Sequence, residues 1–154
     1  MPCSDASWYQ RAAEQGLADA QYAMAQFLAN GYADTPADPE KAREWLQKAA
    51  RQSYDTAQLD LGTWLVLGRG GPKNERAGFS WLLRAAVSGN VAAQNRVAKL
   101  YVAGIGTQPD MVMGAAWYIV ARRGGLRDDE MDDVMNGLTT GETRQALERA
   151  NRLR

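Results

Sequence analysis

The segment Trp81-Leu82-Leu83-Arg84-Ala85-Ala86-Val87-Ser88-Gly89 recurs along the chain, and its recurrence decides the architecture. Related segments begin at Trp8, Trp45 and Trp117, so successive copies are 37, 36 and 36 residues apart. A fixed period of about 20 to 50 residues is typical of a solenoid built from stacked units. The sequence therefore predicts a repeat protein.

Each copy places small residues beside its tryptophan. Alanines follow four and five residues later, or Ala121-Arg122 in the last copy, and residues four apart share one helix face. Gly78 and Gly114 stand three residues before Trp81 and Trp117. Because glycine inside a helix costs about 0.5–1 kcal/mol relative to alanine, we expect a packing reason for both. We interpret the repeated tryptophans as core packing rather than a ligand-binding aromatic box.

A second pattern has the same period. Ala20-Gln21, Ala57-Gln58 and Ala93-Gln94 are 37 and 36 residues apart, and each is followed by apolar residues at helical spacing. This pattern indicates a companion helix that pairs with each tryptophan-bearing helix.

Turn residues separate these segments into nine predicted helices. We expect Ser4-Asp5 to cap the first helix, over residues 8–15, and the last two helices to span residues 128–138 and 142–153. Valine and isoleucine are scattered, with no alternating run that would predict a strand. The predicted fold class is all-α.

Composition excludes several functional classes. Eighteen basic residues balance 18 acidic ones, so the chain has no net positive charge that would attract nucleic acid. No apolar run is long enough to span a bilayer and no leader precedes the first helix, so we expect a cytoplasmic chain without membrane insertion. A chain trimmed of its leader would be periplasmic.

Histidine, the commonest general base and metal ligand, is absent, and we expect no catalytic residue, metal or cofactor.

Cys3 is the single cysteine, so the chain cannot form an intramolecular disulfide. Cys3-Ser4-Asp5 has two interpretations, the start of a lipid-anchored mature chain and a mobile terminal thiol. We favour the thiol, because no apolar leader precedes it.

The unit Ala93-Gln94-x-x-Val97-Ala98-x-x-Tyr101-x-x-Gly104-x-Gly106, followed by Trp117-Tyr118-x-x-Ala121, resembles the Sel1-like repeat, a relative of the tetratricopeptide repeat. The resemblance extends over roughly residues 7 to 125. Ser53, where the family usually has glycine, and Arg122, where it has alanine, depart from the pattern.

The resemblance implies one α/α superhelix (solenoid) domain over residues 1–154, and we expect a bacterial protein. Its predicted parts are an N-terminal half repeat (4–16), three repeats (17–53, 54–89 and 90–125) and C-terminal capping helices (126–154).

The resemblance also implies a non-catalytic adaptor that binds a protein or peptide in a concave groove lined by the first helix of each repeat. The tetratricopeptide groove positions carry over to three sets of residues in this chain. These are Asp19, Tyr22, Gln26 and Asn30; Thr56, Leu59, Thr63, Val66 and Leu67; and Asn95, Lys99 and Val102. The alternative interpretation of these residues is a solvated helix face.

Two other functions compete with the adaptor. The first helix matches the second half of a repeat, so Trp8 and Tyr9 lack a partner helix and are candidates for self-association as a homodimer through this end. A hydrolase of small cell-wall-related molecules would use the acidic residues Asp128, Asp129, Glu130, Asp132 and Asp133. Acidic residues at a helix start are more often capping and dipole partners than catalysts.

Overall fold

The structure is a computed structural model that describes residues 2–32 and 35–153, with the backbone alone for residues 2–6. Within these residues it contains nine α-helices and no β-strand, which confirms the all-α prediction. The helices are α1 (Pro2–Glu14), α2 (Ala18–Asn30), α3 (Pro39–Arg51), α4 (Asp55–Leu67), α5 (Glu75–Val87), α6 (Val91–Ala103), α7 (Met111–Arg123), α8 (Asp129–Asn136) and α9 (Thr140–Leu153).

The two terminal helices begin earlier than predicted. Helix α1 starts at Pro2, so Ser4 and Asp5 lie inside it and the predicted N-cap was wrong. Proline suits the first helical position because its fixed φ is already helical. Helix α9 begins after a capping box that the prediction missed, in which Thr139 and Glu142 each accept the other's backbone N–H, at 3.1 and 2.9 Å.

Aspartates begin three other helices. The side chains of Asp38, Asp110 and Asp128 each accept the backbone N–H three residues further on, at 3.2, 3.0 and 3.1 Å. Each carboxylate satisfies one of the free N–H groups of a first turn and complements the positive end of the helix dipole.

The chain divides into two compact units. Unit 1, Met1–Asn74, contains α1 to α4, and α2 packs against both α1 and α3. Its core includes Ala12, Ala13, Ala20 and Met24, with the ring of Trp45 against them. The buried side chains are mostly small, so the helices approach closely.

Unit 2, Glu75–Arg154, contains α5 to α9, and α6 packs against both α5 and α7. A Cβ atom added to Gly114 of α7 would lie 2.8 Å from Val102 Cγ2 and 2.9 Å from the carbonyl oxygen of Ala98 on α6. Both distances are too short for a real contact. The predicted packing reason for glycine is therefore confirmed at this position.

The repeated tryptophans are not equally buried. Trp117 is 2% exposed and belongs to the core, as predicted. Trp45 and Trp81 are half-buried, with Lys48 Nζ 4.3 Å and the Arg84 guanidinium carbon 4.8 Å from the ring centroids. Because residues three apart share a helix face, these cations cover the outer side of each ring. The core-packing prediction is therefore too simple for these two tryptophans.

Candidate partner-binding faces

Buried glutamines join the helices of consecutive segments. Gln21, Gln58 and Gln94 are 5%, 4% and 6% exposed. Each donates its side-chain amide to a carbonyl oxygen eight residues earlier, on Ala13, Ala50 and Ala86, at 3.2, 3.1 and 3.1 Å. The acceptor is main chain, so the sequence shows the recurrence of glutamine but not its partner. These recurring glutamines therefore stabilise the packing of consecutive helices.

Other positions of the same helices change from one repeat to the next. Tyr22 corresponds to Leu59 and Asn95, and Gln26 corresponds to Thr63 and Lys99. We call the predicted groove residues of α2 and α4, from Asp19 to Leu67, the unit 1 face. Asn95, Lys99 and Val102 of α6 form the unit 2 face.

Tyr22 of the unit 1 face contacts two residues outside the predicted groove, Tyr54 and Asp60. Tyr22 donates its hydroxyl to Asp60 Oδ2 at 2.7 Å and accepts from Gln26 Nε2 at 3.1 Å. Its ring centroid lies 5.4 Å from that of Tyr54. Burial, and then the bond to Asp60, raise the pKa of Tyr22 well above its ordinary value, so it remains a neutral donor.

Asp60 and Tyr54 were absent from the predicted groove. Asp60 lies 38 residues after Tyr22, close to one period, and this spacing is the signal that could have identified the pair. Asp60 directly follows Leu59, the position that corresponds to Tyr22, so the repeat places it on the neighbouring first helix.

The α4 end of the unit 1 face is apolar. Leu67 is 69% exposed, whereas Leu59, Thr63 and Val66 are half-buried. Thr63 donates its hydroxyl to the carbonyl oxygen of Leu59 at 2.9 Å. Leu67 therefore presents most of its apolar surface to the exterior of unit 1.

The remaining unit 1 positions are polar or intermediate in exposure. Asp19 and Asn30 are exposed, and Thr56 is half-buried. Asp19 accepts the N–H of Ala20 at 2.9 Å, and Asn30 donates to the carbonyl oxygen of Gln26 at 3.2 Å. These bonds lie within α2, so they leave both side chains at the surface.

On the unit 2 face, α6 meets the start of α8. Lys99 Nζ lies 2.7 Å from Asp128 Oδ2 and 3.5 Å from Glu130 Oε1, and Asn95 Nδ2 donates to Asp128 Oδ2 at 3.0 Å. Lys99, and then Asn95, lower the pKa of Asp128 to about 2. Val102 is half-buried and turns towards Gly114 of α7. The structure thus brings Asn95 and Lys99 together and places Val102 in the α6–α7 seam.

The five acidic residues of the hydrolase alternative do not converge on a site. Asp128 caps α8, and Asp132 accepts the hydroxyl of Tyr118 at 2.7 Å. Asp129, Glu130 and Asp133 are exposed. Among the side chains that the structure describes, in residues 7–32 and 35–153, no three carboxylates are grouped to hold a metal ion. Capping and side-chain pairing account for Asp128 and Asp132, the two half-buried members of this set.

The two candidate self-association residues differ in exposure. Trp8 is 61% exposed, but Tyr9 is half-buried, with its ring centroid 5.5 Å from that of Phe27 on α2. Helix α2 therefore supplies a partner for Tyr9 that the prediction did not foresee.

The side chain of Cys3 lies outside the described residues, so its two interpretations stay open.

Comparison with known proteins identifies the family. The model of the Sel1 repeat matches residues 6–17, 18–54, 55–90 and 91–126, which is most of the chain. The chain belongs to the Sel1 repeat family.

Two curated relatives are fungal regulatory proteins. Chitin synthase regulatory factor 3 of Schizosaccharomyces pombe is 33% identical over 120 residues, covering 77% of this chain and 13% of the relative. The chitin synthase regulator SKT5 of Malassezia restricta is 42% identical over 66 residues, covering 41% of this chain and 4% of the relative. This Sel1 repeat chain spans only a small part of either protein. The relatives are fungal, so the expectation of a bacterial source is not supported.

Two solved structures have the same fold. A Sel1 repeat protein from Oxalobacter formigenes superposes with a TM-score of 0.77 at 25% identity, over 96% of this chain and 61% of the other. A protective antigen of uropathogenic Escherichia coli that displays an SLR fold gives 0.68 at 24% identity, over 99% of this chain and 41% of the other. These similarities confirm the predicted all-α Sel1-like solenoid fold. Among the described helices, none combines the length and the apolar character needed to cross a membrane.

Proposed function

We propose that this Sel1 repeat chain is a non-catalytic scaffold that binds a peptide or a partner protein through the exposed faces of its first helices. Family membership supports a role in protein interaction, and the fungal relatives are named as regulators. The observation that carries the proposal is the different placement of recurring and variable residues. Recurring residues such as Gln58 are buried, whereas the residues that vary between repeats lie on the unit 1 and unit 2 faces.

The unit 1 face has the composition of a binding surface. Leu67 offers an exposed apolar side chain, and Tyr22, Gln26 and Asn30 offer hydrogen-bonding groups on the neighbouring helix. Interfaces commonly combine an apolar centre with a polar rim, and fully burying one leucine is worth about 1.5–3 kcal/mol. Leu67 is therefore the side chain expected to contribute most to binding on this face.

Leu67→Asp tests the unit 1 face, with Val87→Asp as a matched control. Both residues end a 13-residue helix and have similar exposure, 69% and 66%, but Val87 is on α5, which is not a first helix. The partner is first captured with the parent chain and identified, and its Kd is then measured for each purified variant. We expect Leu67→Asp to weaken binding at least tenfold and Val87→Asp to change it less than threefold. Equal effects of the two changes contradict the proposal.

Self-association is a second candidate, favoured by the exposure of Trp8. Trp8 is 61% exposed, whereas Trp117, at the corresponding position of the last copy, is 2% exposed. A second copy of the chain that covers Trp8 would bury this large aromatic surface. Sedimentation velocity at several concentrations should show a dimer that Trp8→Ala weakens and Leu147→Ala, a 44% exposed control, does not. A monomer at all concentrations eliminates this candidate.

A further inference from the structure

The unit 2 face already holds a carboxylate of the same chain. Asn95 and Lys99 both contact Asp128 Oδ2, and Lys99 also reaches Glu130, two residues further along. The charges of the two helices are complementary. Helix α6 contains Arg96 and Lys99 and no acidic residue, whereas α8 has four acidic residues and no basic one.

One atom of this contact is left without a partner. Asn95 Oδ1 is buried and accepts no hydrogen bond, although the amide nitrogen of the same side chain donates to Asp128. A buried acceptor without a donor is destabilising, because it has lost its contact with water and gained no hydrogen bond. The contact between Asn95 and Asp128 therefore leaves one polar atom of the unit 2 face unsatisfied.

The position of helix α8 in unit 2 depends on a small number of tertiary contacts. It is eight residues long, and Met131 is its one fully buried residue. An isolated helix of this length is unstable in water, so its position depends on tertiary contacts. Besides Met131, these are the packing of Met135 against the core of α7 and α9, the bonds of Asp128 to α6, and the bonds of Asp128 and Asp132 to the hydroxyl of Tyr118 on α7.

We propose that Asn95 and Lys99 form a binding site for an acidic segment of a partner protein, and that the Asp128–Glu130 turn occupies this site until the partner displaces it. The proposal rests on the function proposed above, in which the first-helix faces bind a partner. It adds the chemistry of the ligand at α6 and a regulatory role for α8. A tethered occupant has an effective concentration in the millimolar range, so the closed chain binds an external acidic segment weakly.

A peptide that copies residues 127–136 provides the probe, because this stretch is the occupant seen in the structure. Three variants of the full chain are compared. Asp128→Asn/Glu130→Gln removes both carboxylates that reach Lys99, Asp129→Asn/Asp133→Asn removes the same charge from exposed positions of α8, and Lys99→Gln removes the cation. Binding is followed by NMR titration of the backbone amides of α6.

We expect the Asp128→Asn/Glu130→Gln variant to bind the peptide at least tenfold more tightly than the parent chain. The Asp129→Asn/Asp133→Asn control should bind as the parent does, and Lys99→Gln should not bind. A peptide that carries asparagine and glutamine in place of Asp128 and Glu130 should lose the interaction. Equal binding by the two double variants, or binding that persists in Lys99→Gln, overturns the ligand assignment.

Hydrogen exchange tests the displacement of α8 separately. Both Asp128→Asn/Glu130→Gln and Lys99→Gln should accelerate exchange in Asp129–Asn136 while α6 keeps its protection, which also shows that unit 2 remains folded. Unchanged exchange of α8 in both variants overturns the displacement. The Leu67→Asp experiment reports on unit 1 alone, so its failure and the failure of this proposal are distinguishable.

Discussion

The side-chain amide of Gln58 on α4 lies 3.1 Å from the carbonyl oxygen of Ala50 on α3. Ala50 also accepts the backbone N–H of Ser53 at 3.0 Å, so this one carbonyl joins the end of α3, the turn and the next helix. Gln21 and Gln94 make the same contact in their own repeats. A glutamine eight residues after its acceptor is therefore a structural signature of the repeat in this chain.

Gln58→Met should lower the free energy of unfolding by about 1 kcal/mol. The substitution keeps the side-chain length but removes the donor, so the Ala50 carbonyl keeps its bond to Ser53 and loses the second hydrogen bond that it accepts. Gln47→Met on the exposed side of α3 is the control and should stay within about 0.5 kcal/mol of the parent. Urea denaturation followed by circular dichroism measures both. A loss no larger than that of Gln47→Met contradicts the role of this hydrogen bond.

Ser53→Gly should stabilise the protein by about 1 kcal/mol. Ser53 has a φ of 64°, the left-handed conformation that the corresponding glycines Gly16 and Gly89 also adopt. A side chain costs roughly 1–2 kcal/mol in this region, and glycine removes that cost. The chain therefore keeps the family's turn at Ser53 with a less suitable residue.

Ser80→Gly is the control for this change, because Ser80 lies inside α5 and is exposed. There the same substitution should destabilise by up to about 1 kcal/mol, since glycine lowers helix propensity. Thermal unfolding of both variants should give shifts of opposite sign. Shifts of the same sign rule out the conformational explanation.

Gly114→Ala should destabilise unit 2 by about 1–3 kcal/mol although alanine is the better helix former. The added methyl would meet Val102 and the backbone of Ala98. Gly141→Ala in α9 is the control, because a Cβ there meets no atom within 4 Å. We expect the control to stabilise by about 0.5 kcal/mol, and destabilisation of similar size in both variants would argue against close packing at Gly114.

Asp128 should make stability depend on pH in the acidic range. Its pKa is about 2 in the folded chain, below the ordinary value of 3.8, because Lys99 and Asn95 favour the carboxylate. For a lowered pKa, the stabilisation is fully present above the unfolded value and is lost as the pH falls through the folded one. We therefore expect about 2 kcal/mol at pH 7, declining between about pH 4 and pH 2.

Asp128→Asn isolates this charge, because asparagine is also a good N-cap. It should lose about 2 kcal/mol at pH 7, and this gap from the parent chain should shrink to about 0.4 kcal/mol at pH 2. Asp133→Asn, on the exposed side of α8, should follow the parent at every pH. Denaturant unfolding from pH 2 to 7 measures all three chains, and a constant gap between Asp128→Asn and the parent would contradict the pKa assignment.

Periodicity made most of the fold predictable. The recurring tryptophan and Ala-Gln segments identified the helix pairs, and Asp38-Pro39 identified the start of α3, because caps and periods are local features of sequence. The start of α1 was missed because the Ser4-Asp5 cap competed with a proline start at Pro2. Local rules do not decide between two valid signals close together.

The candidate faces were predictable as positions but not as contacts. The resemblance to tetratricopeptide repeats assigned Asn95 and Lys99 to a groove-lining first helix, and it assigned Tyr22 and Leu67 to the same kind of surface. Their surroundings differ, since Lys99 is paired with Asp128 and Leu67 is exposed. The difference arises because α8 departs from the repeat, and the period carries no information about a segment outside it.

The sequence by itself determined that this chain is a helical repeat protein of the Sel1-like class, because the spacing of Trp, Ala, Gln and Gly encodes which faces of each helix pack. Only the tertiary structure decided which of these residues are accessible. It placed Trp117 in the core and Trp8 at the surface, and it set Asp128 against Asn95 and Lys99. Burial and ion pairing depend on which segments meet in space, and a repeat pattern specifies only the neighbours that repeat.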